Sequence, residues 1–173
     1  MSAPDQGRRA AISAAIERRL RREAGYRFRL MVFIALGVVA LDQLTKAIIR
    51  ATIPVGDTVE LLPGINLVDT VNTGIAFSLF QGNPGVVAAV TLVAIAVIAV
   101  LLVGFAGRHA LVPIGGGLLL GGSVGNLIDR VWRDGVTDFI AIGSWPPFNV
   151  ADIGVTAGAI LLVVALVFSG GDD

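Results

Sequence analysis

The sequence holds few side chains able to do covalent or acid–base chemistry, and their scarcity is informative. It has no cysteine, one histidine (His109) and one lysine (Lys46). Disulfides, zinc–thiolate sites, a cysteine nucleophile and a metal site built from several histidines are therefore excluded. Two kinds of hydrolytic chemistry remain. Lys46 could act as base for a serine, Ser78 or Ser123. Alternatively, two carboxylates sharing one proton could activate a water and protonate the reacting carbonyl, because like charges a few ångströms apart do not both ionise easily. Asp138, expected on a mobile outer loop, and Asp152, at a helix start, could meet in this way. Spacing makes the pair available without making it specific. A solvated loop carboxylate is the alternative for Asp138, whereas Asp152 has no basic neighbour and gains from the helix dipole.

Other polar residues fall inside or beside apolar segments, where ionisable groups are costly and suggest function. Asp42 and Lys46 form an i, i+4 pair, which either neutralises itself or serves a site. Asp129 and Arg130 are adjacent and point in different directions, so each needs a partner elsewhere. A structural ion pair suits Asp129, and Arg130 could hold a phosphate or a substrate carbonyl. Asn126 and Asn149 could be hydrogen-bonded glue between helices. All of these lie toward the outer ends of their spans, and the inner halves are essentially uncharged. A proton- or ion-coupled transporter, the main rival function, should carry polar groups near mid-membrane or on both sides.

The elements that must position these groups are apolar. The chain has 173 residues, 55% hydrophobic and only 15% charged, with a mean hydropathy of +0.83. Soluble domains carry about 25% charged residues. Four spans of about 20 residues, the length that crosses the hydrocarbon core, are expected: Leu30 to Ile49, Val86 to Phe105, Leu111 to Ile128 and Asn149 to Phe168. The net charge is zero, yet eight of the 13 basic residues precede Leu30. By the positive-inside rule that end is cytoplasmic, a better reading of the cluster than nucleic-acid binding. Residues 1–29 carry Ile12, Ile16 and Leu20 at helical spacing. They read as an amphipathic helix lying on the inner surface or as a disordered basic tail. The turn Gly107-Arg108-His109 then returns to the inside, as does the tail 169–173, which ends in Asp172-Asp173. Residues 51–83 and 131–148 are outer loops. Thr58–Leu62, Ile65–Val71 and Val136–Ile142 read as short strands punctuated by Pro54-Val55-Gly56-Asp57 and Pro63-Gly64. Neither loop is large enough to fold alone, so both should join in one small sheet platform over the outer helix ends. The expected fold is thus an all-α integral membrane bundle of four helices, with its protease domain over 30–168 and a small outer β platform.

Five segments recur in a recognisable order: Leu41-Asp42-Gln43-Leu44-Thr45-Lys46, Asn72-Thr73-Gly74-Ile75-Ala76-Phe77-Ser78, Gly122 through Arg130, Val136-Thr137-Asp138-Phe139 and Phe148-Asn149-Val150-Ala151-Asp152. Together they closely resemble the blocks of the lipoprotein signal peptidase (type II signal peptidase) family, over roughly residues 30–168. The resemblance implies an aspartyl endopeptidase of the bacterial inner membrane in which Asp138 and Asp152 are the catalytic dyad. It implies supporting roles near the substrate for Asp42, Lys46, Asn72, Asn126, Asp129, Arg130 and Asn149. The implied substrate is a prolipoprotein whose lipobox cysteine carries a diacylglyceryl group, cut before that cysteine without metal or cofactor. Membrane lipid and inhibitory globomycin-type lipopeptides are the other implied partners, and nucleic acid is not among them. A long basic amino terminus and a short stretch between Asp138 and Asp152 depart from the family pattern. The G-x-G-D block of presenilin-type proteases is absent.

Overall fold

The computed structural model describes residues 3–74, 84–105 and 109–169. Its elements run α1 (Ala3–Thr52), β1 (Thr58–Leu62), β2 (Ile65–Asn72), α2 (Pro84–Phe105), α3 (Leu111–Arg133), β3 (Val136–Ile142) and α4 (Val150–Ser169). Ser78, most of the Gly107-Arg108-His109 turn and the tail Asp172-Asp173 lie outside the described residues.

Among the described residues, three helical segments are long and apolar enough to cross a membrane: Ala11–Thr52, Leu111–Arg133 and Val150–Phe168. In α2 the apolar run Gly85–Val100 is shorter. Large apolar side chains such as Phe33, Leu36, Val100, Leu166 and Phe168 are exposed on the helices, as they are where lipid rather than protein is the neighbour. The chain is a multi-pass membrane protein.

The amino-terminal segment departs from expectation. There is no separate surface helix before Leu30, because α1 runs unbroken for 50 residues, about 75 Å at 1.5 Å per residue. No proline interrupts residues 5–53. Arg, Ala, Glu and Leu dominate residues 8–24 and are strong helix formers. Arg19 adds an i, i+4 ion pair to Glu23 at 2.9 Å. Ile12, Ile16 and Leu20 remain more than half exposed.

Helix α3 lies at the centre and packs against α1, α2 and α4. Lipid tails are as apolar as leucine, so close backbone approach replaces hydrophobic burial as the source of helix contact. Glycine makes that approach available. A Cβ at Gly121 would stand 2.6 Å from the Ala35 carbonyl oxygen of α1, and one at Gly125 would stand 2.7 Å from Asp42 Oδ2.

The strands of the two outer segments meet in one antiparallel sheet, ordered β1-β2-β3. Pro63-Gly64 closes the β1–β2 hairpin, with Gly64 at φ 80°, a conformation that suits glycine at the third position of a type II turn. Ile49 and Ile53 at the end of α1 pack against Phe139 of β3, with Leu67, Ile140 and Val150 around them. This small core seats the sheet on the bundle end where the polar residues gather.

Candidate active site

The site is assembled from the ends of α1, α3 and α4 and from the sheet. Helix α4 begins with a reciprocal cap: Asp152 N donates to Asn149 Oδ1 at 2.9 Å, and Asn149 N donates to Asp152 Oδ2 at 3.2 Å. Such a capping box satisfies amides that the first turn would otherwise leave unpaired, and it fixes the Asp152 side chain.

Asp138 is in the middle of β3 and only 4% exposed. Neither the mobile loop nor the solvated carboxylate expected from the sequence describes it. Its Oδ2 accepts from Asn72 Nδ2 at 3.0 Å and its Oδ1 from Asn149 Nδ2 at 2.7 Å. A β-bulge makes the first contact. Leu67 pairs with Ile140, but Thr70 pairs with Asp138, so the register shifts by one residue between them. Without that extra residue Asp138 would share its face with Asp69 and Val71, because a one-residue slip exchanges the two faces of a strand. With it, Thr70 is directly opposite and Asn72 is the diagonal neighbour.

Asn126 and Asn149 join the two carboxylates. Asn126 Nδ2 donates to Asp152 Oδ1 at 2.8 Å, and Asn149 Nδ2 reaches both Asn126 Oδ1 at 3.2 Å and Asp138 Oδ1. Burial pushes the Asp138 carboxyl up to about 6. The Asn72 and Asn149 hydrogen bonds oppose that rise, as does the charge of Lys46, while the charge of Asp152 adds to it.

Behind this pair lies a second polar layer. Lys46 Nζ contacts Asp42 Oδ2 at 2.9 Å and Asp129 Oδ2 at 3.2 Å, and donates to Asn126 Oδ1 at 3.0 Å. Asp42, Lys46 and Asp129 are fully buried. The structure therefore places these three behind the exposed side of the site, where they can reach a substrate only through other residues. The two carboxylates also hold the strand and helix that carry Asp138 and Asp152, Asp42 through its other oxygen and Asp129 through the oxygen that Lys46 contacts. Asp42 Oδ1 accepts from Ala151 N at 3.0 Å, and Asp129 Oδ2 from Thr137 N at 3.1 Å. The Lys46 ammonium is enclosed by Asp42, Asp129 and Asn126.

Arg130 spans the site's edge, donating to the carbonyls of Asn126 and Gly74 at 3.4 Å each. Its Nε is buried with no hydrogen-bond partner among the described residues. Two contributors escaped the reading from sequence. Gln43 Nε2 donates to Asp42 Oδ2 and to the Gly125 carbonyl at 3.1 Å each. Arg50 Nη1 donates to Thr137 Oγ1 at 2.9 Å. Gln43 sits between Asp42 and Lys46 in the sequence, and that adjacency was the available signal. Arg50 had none.

Asp152 also opens onto an apolar groove of about 400 Å³, lined by Trp145, Phe148, Ile153, Thr156 and Ile160. The residues Ile153, Thr156 and Ile160 follow one face of α4, so the groove runs from the carboxylate down into the span.

Comparison with known proteins identifies relatives over most of the chain. The family model described as signal peptidase (SPase) II matches residues 34–168. The lipoprotein signal peptidase of Rhodococcus jostii is 44% identical over 145 residues, covering 79% of this chain and 72% of its own. That of Mycobacterium avium is 39% identical over 153 residues, covering 82% and 81%. A bacterial membrane enzyme solved in meso at 2.3 Å resolution superposes with a TM-score of 0.76 at 32% identity, over 83% of this chain and 90% of that one.

Proposed function

The chain belongs to the signal peptidase II family, a family of proteases, and from that premise we propose that it removes signal peptides from diacylglyceryl-modified prolipoproteins, cutting before the lipidated lipobox cysteine. Asp138 and Asp152 are the acid–base pair. One takes a proton from the attacking water while the other donates to the scissile carbonyl oxygen, and the leaving nitrogen is protonated as the tetrahedral intermediate collapses. The observation that carries this reading is the Asn126–Asn149 bridge that joins the Asp138 and Asp152 carboxylates. Amide donors orient the oxygens without supplying a positive charge that would keep both ionised. A carboxyl raised to about 6 can keep the shared proton close to neutral pH.

The groove below Asp152 suits an acyl chain. Much of the gain from burying such a chain cancels, because it is already in lipid before binding. What remains is positional: the lipid sets the depth of the scissile bond, and proximity of that kind lowers the barrier directly. Asn72 and Arg130 hold peptide or glyceryl carbonyls at the rim, and a globomycin-type lipopeptide would compete for the same surface.

The proposed setting is the bacterial cytoplasmic membrane, with four crossings counting α2. Residues 1–29 and 169–173 face the cytoplasm, and the loops 51–83 and 131–148 of the protease domain 30–168 face outward. The arginine asymmetry of the amino terminus supports this orientation. The test compares a diacylglyceryl-modified lipobox peptide with its unmodified form in one bilayer system. The modified peptide should be cut far faster by the wild type. Equal rates would overturn the substrate assignment while leaving the dyad standing.

A further inference from the structure

At the end of the bundle opposite the candidate site, a notch of about 490 Å³ opens between α1 and the start of α3. Arg22, Glu23, Tyr26, Arg27 and Leu30 form one wall, and Ala110 contributes to the other. Arg27 lies three residues before Leu30, where the apolar span begins, so it is about 4.5 Å along the helix from the hydrocarbon edge. That is headgroup depth, since the interfacial layers add only about 5–8 Å per leaflet. The notch therefore sets the Arg27 guanidinium at the level of lipid phosphates above an apolar floor at Leu30, with Arg22 about 12 Å from the hydrocarbon edge on its outer rim. It lies about 28 Å along α1 from Lys46, and the family match begins only at residue 34.

We propose that this notch is a binding site for an anionic phospholipid of single charge, with the phosphate held between Arg22 and Arg27 and the first part of an acyl chain against Leu30. Charge complementarity selects the occupant: basic recesses between membrane helices bind acidic headgroups, each arginine adding electrostatic attraction near the surface. Glu23 shapes the choice further. Its carboxylate, paired with Arg19 at 2.9 Å, repels a multiply charged headgroup and accepts from hydroxyls, as on a glycerol headgroup. This assignment does not depend on the roles given to Asp138 and Asp152.

The full chain, reconstituted in nanodiscs of equal phosphatidylglycerol and phosphatidylcholine, tests the proposal through the lipids retained in native mass spectrometry. The wild type should retain phosphatidylglycerol preferentially. The Arg22→Gln/Arg27→Gln variant should lose that preference by about 30-fold, the loss expected from two surface arginines. The Arg21→Gln/Arg29→Gln variant removes the same charge from the same stretch outside the notch and should keep it. Ala110→Trp fills the recess without touching a charge and should expel the lipid. Equal losses in the two double variants would mean diffuse surface attraction and would overturn the site. So would retention of phosphatidylglycerol by Ala110→Trp, or equal retention of both lipids by the wild type.

Discussion

Asp42 and Asp129 occupy the same end of the bundle as Asp138 and Asp152, and Asn126 touches both groups, yet the two pairs face opposite kinds of partner. The first pair encloses Lys46 and is fully buried. The second is held by amides, and Asp152 opens onto the apolar groove. A carboxylate closed against a cation is spent on structure, because its charge is already compensated. One hydrogen-bonded to amides beside another carboxylate is not closed into an ion pair in this way. On the proposed reading, the comparison separates residues that build the site from residues that would react there.

The largest expected effect tests that separation directly. Asp138→Asn and Asp152→Asn should each remove nearly all turnover, by at least about a thousandfold, in protein that still unfolds cooperatively. The double variant should be hardly worse than either single one, since members of one catalytic unit are strongly non-additive. Single-variant losses that multiply in the double variant would dissolve the distinction between the pairs.

Lys46→Met should act on stability first. It leaves Asp42 and Asp129 buried without their cation, and breaking a buried pair in this way costs about 3–5 kcal/mol. Thermal unfolding in detergent should show the loss. A variant as stable as the wild type would mean that the cation is not what compensates the buried pair.

Asp138→Asn should do the reverse. An aspartate whose folded pKa, about 6 for Asp138 against an ordinary 3.8, exceeds its unfolded value favours the folded state most at low pH. That favour is lost as pH rises through about 6. Removing the charge should therefore stabilise the protein above about pH 6 by about 1–2 kcal/mol, after allowance for one donor left facing the new amide. The advantage should fade as pH falls toward about 4. Unfolding temperatures of both proteins across that range check it, and a constant difference would show that the Asp138 charge is not strained.

The smallest effect concerns the rim. Arg130→Ala should slow cleavage about tenfold, the value of one charge-assisted hydrogen bond. Arg133→Ala, whose side chain lines a different recess with Arg50 and Asp69, should leave it unchanged. Equal rates for the two variants would remove Arg130 from the substrate's path.

Much of this was legible in the sequence because it rests on local rules. Strands β1 and β3 have the expected bounds, since turn residues and alternating apolar residues mark strand ends independently of what packs on them. The three long apolar helices follow from hydropathy alone. Asn149 and Asp152 announce a helix start because a cap is made by residues close in sequence. The continuity of α1 through Arg29 was less legible, since a basic helix reads the same whether it lies on a membrane surface or continues a span.

Residue type and spacing by themselves therefore determined a membrane bundle whose ionisable groups within the spans gather at one end, and which aspartates were available for chemistry. Only the tertiary structure decided how those aspartates divide. Lys46 could have neutralised any of them. The close approach of α1 and α3 allowed by Gly121 and Gly125 gave it to Asp42 and Asp129. The bulge in β2 turned Asn72, rather than Val71, toward Asp138. Both outcomes depend on register between segments far apart in the chain, and no local preference encodes that register, because a shift of one residue costs nothing until the partner element is in place.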